Sequence, residues 1–133
     1  ESDNARVFSS LRRLFADPQN RRERVERIAA LANGNQRVTR LANVVLVQLQ
    51  AGAPLPAPAA SSVQAASDTL GGALETLAAA LETEDGALRA RLLAPHALAL
   101  DTLEPPHGDG PADRIAGNLA RAATEVRGMI AAA

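Results

Sequence analysis

Two histidines, a few serines and a scatter of carboxylates are the side chains through which this chain could do chemistry. There is no Cys, Trp, Tyr or Lys, and every one of the 14 basic residues is Arg. The usual thiol and amine nucleophiles and the soft metal ligands are therefore missing. His107 stands three residues after Glu104 and two before Asp109. Such a trio can in principle hold zinc or a hard cation, but a single His with acids in a Pro/Gly stretch reads first as a solvated loop. His96, beside Pro95, reads as a helix-end residue. Ser9, Ser10, Ser61, Ser62 and Ser67 supply hydroxyls, yet none sits in the glycine-flanked turn that exposes a nucleophilic serine. Glu82, Glu84 and Asp85 fall at a helix junction, where they favour the positive end of the next helix. No catalytic residue, metal site or cofactor site is assigned on this basis.

The strongest candidate surface is basic. Arg21, Arg24 and Arg27 share one side of a helix at three-residue spacing, and Arg12 and Arg13 stand just upstream. Such a face can meet lipid phosphates or an acidic protein patch. The charge is uneven along the chain: residues 1–50 carry nine Arg against five acids, and residues 51–133 carry five Arg against ten. The net charge of -1 counts against a nucleic-acid partner. A helix-turn-helix reading of VERIAALANGNQRVTRL meets Asn35 and Arg40 at positions that should be apolar.

The elements that must position these residues are helices. With 133 residues and 47% hydrophobic composition, but only 2% aromatic, the chain has a single domain's length and a core of Leu, Ala, Val and Ile. Residues 3–16 form an amphipathic pattern on Val7, Leu11, Leu14 and Phe15. Asp17-Pro18 suits the start of a second helix reaching Gln50, on which Val25, Ile28, Leu31, Ala32, Val38, Leu41, Ala42, Val45, Leu46 and Leu49 make a broad core-facing stripe. Asn33-Gly34-Asn35 interrupts that pattern, but its phase survives through Ile28, Ala32, Asn35, Thr39, Ala42, Leu46 and Leu49, which predicts one long helix bent near Gly34. The β-prone tail VVLVQLQ has no second strand to pair with.

Residues 51–60 (AGAPLPAPAA) form a Pro-rich link. Ser61 with Gln64 predicts a capping box opening a third helix to about Glu82, with Val63, Ala66, Leu70, Ala73, Leu74, Leu77 and Leu81 inward. Thr83 is read as the cap of a short fourth helix on Leu88, Leu92 and Leu93. Pro95 is expected to break it, leaving a second piece from His96 to Leu103. A loop over 104–110 precedes a last helix from Pro111 to Ile130, with Ile115, Leu119, Ala122, Val126 and Met129 or Ile130 inward. The prediction is an all-α fold: one antiparallel helical bundle over 1–133, with about four main helices plus a short N-terminal one.

LRRLFADPQNRRERVERIAALANGNQRVTRL, the break APLPAPAA, the Leu/Ala helix DTLGGALETLAAALE and the late segment RIAGNLARAATEV come in an order that resembles a known family. It is the cytosolic helical region of fusaric-acid-resistance-like inner-membrane proteins, the FUSC or aromatic-acid-exporter family. The resemblance covers about half the chain and carries no catalytic residue. It implies a non-enzymatic domain at the cytoplasmic face of the bacterial inner membrane, working by self-association or by contact with other parts of an exporter, with Arg12, Arg13, Arg21, Arg24 and Arg27 near anionic lipid or a partner. A chain opening on Glu1 rather than Met fits a fragment of such a protein. A free-standing ligand-sensing bundle, with a polar cavity near Asn33, Asn35 and Gln36, is the alternative; a small DNA-binding regulator is the third reading.

Overall fold

Glycine at position 34 should weaken a helix by about 1 kcal/mol, and yet the helix runs straight through it. A computed structural model describes residues 2–14, 21–52, 54–103 and 106–133, with side chains from residue 3 to 9 in the first of these stretches. Among the described residues all regular structure is helical: α1 (Ser2–Leu14), α2 (Arg21–Ala51), α3 (Ala57–Ala80), α4 (Gly86–Asp101) and α5 (Pro111–Ala132). The all-α bundle predicted from the sequence is the fold. The Asp17-Pro18 start and the side chains of Leu11, Leu14 and Phe15 lie outside the described residues.

The second helix is continuous because its tertiary partner needs Gly34. Gly34 is buried against α5, and a Cβ built on it would come 2.5 Å from Met129 Cγ and 3.0 Å from Met129 Sδ. The missing side chain makes room for Met129, and the packing gained overrides the intrinsic helix preference. The buried line of α2 is Ile28, Leu31, Gly34, Val38 and Val45, which runs inside the expected stripe; the stepping line through Asn35, Thr39, Ala42 and Leu46 lies to one side of it. Leu46 and Leu49 are left exposed, at 52% and 44%.

Antiparallel contact between α2 and α5 is fixed along its whole length. Arg27 meets the last turn of α5, Arg37 Nε donates to Glu125 Oε2 at 2.7 Å, and Asn118 Nδ2 donates to Gln48 Oε1 at 3.0 Å. The third, fourth and fifth helices pack on one another as a three-helix cluster around Leu77, Ala80, Leu100, Ala123 and Val126. Arg127 adds an ion pair to Asp101 between α5 and α4. The first helix bridges α2 and α3.

Three local expectations are revised. The third helix begins at Ala57, four residues before the expected cap at Ser61, because Pro56 and Pro58 suit a helix start that needs no N–H partner there. The fourth is capped by Asp85, whose Oδ1 accepts from the Ala87 and Leu88 amides at 3.0 and 3.2 Å; Thr83 Oγ1 instead accepts from the Asp85 amide at 3.3 Å. That helix also passes through Pro95 unbroken. Pro95 is exposed, so the carbonyl one turn back is free to take its hydrogen bond from water.

Overpacking at the α2–α5 contact is a direct check on this account. Gly34→Val should lower the unfolding free energy in urea by about 1–3 kcal/mol. Met129→Ala in the same chain should recover part of that loss, because the two side chains compete for one space.

Candidate docking groove

Both α2 and α3 pack on α5, while no Cα pair between α2 and α3 comes within 8 Å. The gap has two halves. Over the first lies α1. Asn35 Nδ2 donates to Asn4 Oδ1 at 2.5 Å, holding α1 to α2. Arg6 Nε stands 3.8 Å from Glu82 Oε1, holding α1 to the end of α3. Val7 is half-buried at this contact, while Phe8 is 68% exposed.

The second half is open, a groove of about 330 Å³. Its α2 wall is Leu41, Ala42, Val45, Leu46 and Leu49; its α3 wall is Ser67, Leu70, Gly71 and Leu74; its floor is Asn118, Leu119 and Ala122 of α5. The polar side chains in this lining are Ser67 and Asn118, and the Asn118 amide is already bonded to Gln48. A Cβ built on Gly71 meets nothing within 4 Å, so the α3 wall is low at its centre. Contiguous exposed aliphatic surface of the kind that lines this groove marks a contact site more often than a solvated face. Val44 and Val47, 45% and 61% exposed, lie on other sides of α2.

The sequence-predicted basic surface is divided. Arg27 is exposed but reaches across to the end of α5: Nε donates to Ala132 O at 3.0 Å, and Nη2 donates to Ala133 O. A cation on the last carbonyls of α5 complements the negative end of that helix. Arg24 is half-buried and engaged, Arg21 is exposed, and Arg22 lies 4.0 Å from Glu26 across one turn. The side chains of Arg12 and Arg13 lie outside the described residues. The structure thus brings Arg27 to α5 rather than leaving it with Arg21 on an open face.

His96 sits mid-helix, not at a helix end. Its Nε2 is 2.9 Å from Thr76 Oγ1 on α3, in a half-buried seam. No carboxylate bonds it among the described residues, so it has the geometry of an interhelical tie rather than of an oriented base. His107 and Asp109 are exposed, Glu104 lies outside the described residues, and no group of three metal-ligating side chains forms among those described. Asp113, one turn into α5, accepts from the Gly110 amide at 3.1 Å and so belongs to the helix start. Asn33 and Gln36 are exposed, and Asn35 is tied to Asn4, so the polar cavity expected of a sensor does not form there. The unbroken α2 leaves no turn at Asn33–Asn35 for a helix-turn-helix. No described helix is long and apolar enough to cross a membrane.

Comparison of the chain with protein-family models, curated proteins and solved structures finds no match. What sequence reasoning missed is the groove itself. The signal was present in the surplus of aliphatic residues over 41–49, more than one helix face can bury against a single neighbour.

The division of the arginines gives a measurable contrast. Arg27→Ala should speed amide hydrogen exchange in the last turn of α5 and cost about 0.5 kcal/mol of stability at low salt. Arg21→Ala should change neither, as read by exchange mass spectrometry and urea unfolding.

Proposed function

We propose that this chain is a non-enzymatic packing domain whose work is to dock apolar helical surface through the α2/α3 groove. The observation that carries the reading is the open groove with Leu46 and Leu49 exposed in its α2 wall, beside a continuous core. Leaving such residues exposed is costly in solubility unless a partner covers them. The setting we propose is the one its resemblance to fusaric-acid-resistance-like exporters implies: a helical domain at the cytoplasmic face of the inner membrane, associating with copies of itself or with other parts of an exporter. In this setting the exposed Arg21 and the Arg12-Arg13 pair of α1 face anionic lipid or an acidic partner.

A second reading draws on the groove's size. About 330 Å³ is within the range of small-molecule sites, and the Ser67 hydroxyl and the Asn118 carbonyl oxygen are the polar groups of its lining that a ligand could use. An apolar ligand sensed between α2 and α3 is the function that reading assigns.

The chain's lack of cysteine makes the groove easy to label. A Gly71→Cys variant carrying an environment-sensitive fluorophore puts the probe in the low part of the α3 wall. Emission should shift to the blue as protein concentration rises, or on addition of vesicles containing anionic lipid. Solvent-like emission under all of these conditions would contradict the packing reading. A shift produced by small apolar compounds alone would favour the sensor.

A further inference from the structure

The covered half of the α2/α3 gap shows what kind of surface the gap accepts. It is filled by α1, an amphipathic helix that turns Val7 inward and places Arg6 against Glu82. Glu82 is the last of three acids spaced by seven: Asp68, Glu75 and Glu82. Two helical turns separate Asp68 from Glu75, so these two share one side of α3, and Glu82 follows just past its end. Glu82 is engaged by a cation of α1. Among the described residues, no cation pairs with Asp68 or Glu75, which flank the open half; Asp68 accepts only from Gln64, its neighbour one turn back, at 2.9 Å. The α3 segment contains no basic residue, whereas that of α1 carries three Arg against one acid. The open half therefore repeats the requirements of the covered half: an apolar helix face with cations beside it.

A second copy of this chain meets them. The face that bears the gap is a ridge at one end, where α1 lies over it, and a trough at the other. A two-fold axis lying in that face, across the helices, sets ridge against trough twice. The outward residue of the ridge is Phe8, the large hydrophobic side chain left exposed among those described in α1, at 68%. Arg12 follows it by one helical turn in the sequence. We infer that the chain forms an antiparallel two-fold dimer in which α1 of each copy seats in the open half of the other's α2/α3 groove, with Phe8 between Leu46, Leu49 and Leu74, beside Asp68 and Glu75. This rests on the packing reading above and names its partner. The contact is apolar at its centre with charge at its rim, the arrangement in which a buried aromatic anchors affinity and opposite charge fixes the register.

Sedimentation velocity across a concentration series tests it. The unmodified chain should dimerise, and Phe8→Glu and Leu46→Glu should each weaken the dimer at least tenfold. Both residues are more than half exposed, so circular dichroism should show both variants folded as before. Reversing the rim with Asp68→Arg and Glu75→Arg together should weaken the dimer most at low salt. A chain that stays monomeric to millimolar concentration overturns the inference, as does a dimer indifferent to both Phe8→Glu and Leu46→Glu. In either case a blue shift of the Gly71 probe on vesicles would leave the packing reading standing, so the two failures are distinguishable.

Discussion

The contact of Met129 with Gly34 sets the rest of the structure. It brings α2 against α5 where a Cβ at position 34 would meet the Met129 side chain. The three polar ties between α2 and α5 follow the line this contact lays down, from Arg27 through Arg37 to Gln48. A 31-residue helix that buries five residues has little else to hold it. Its other faces meet α1, the groove or solvent.

Committing α2 to α5 has a geometric consequence. The far side of α5 is taken by the α3–α4 pair, so α2 and α3 share a partner with no Cα pair between them within 8 Å. A closed four-helix bundle would fill the space between them with facing side chains. Here one half is filled by α1 and the other is left lined with Leu and Val. The functional proposal is thus a product of the packing: the same seam that orders α2 exposes its aliphatic surplus.

Much of this was legible in the sequence. Five helices, their order and the Pro-rich link follow from periodicity and from where prolines stand, and the buried face of α5 was read correctly from Ile115 to Met129. Errors came where local preference and packing disagree. Gly34 reads as a weakness in isolation and is a contact in the fold. Pro95 reads as a breaker and is tolerated because its carbonyl partner lies on a wet face. Ser61 and Thr83 are good caps by type, but Pro56–Pro58 and Asp85 stand nearer the true helix starts. The basic surface was legible only as composition. Whether an arginine faces solvent or a helix end depends on a residue more than a hundred positions away, as with Arg27 and Ala132, and nothing in local sequence carries that.

The account turns on the α2/α3 gap being open in the isolated molecule. The direct measurement is relaxation of leucine methyl signals by a soluble paramagnetic probe, in dilute protein. Leu46 and Leu49 should relax strongly, while Leu77 and Leu100, 2% and 1% exposed, should be untouched. Protection of Leu46 and Leu49 equal to that of Leu100 would mean that α2 and α3 close on each other, and would contradict the account.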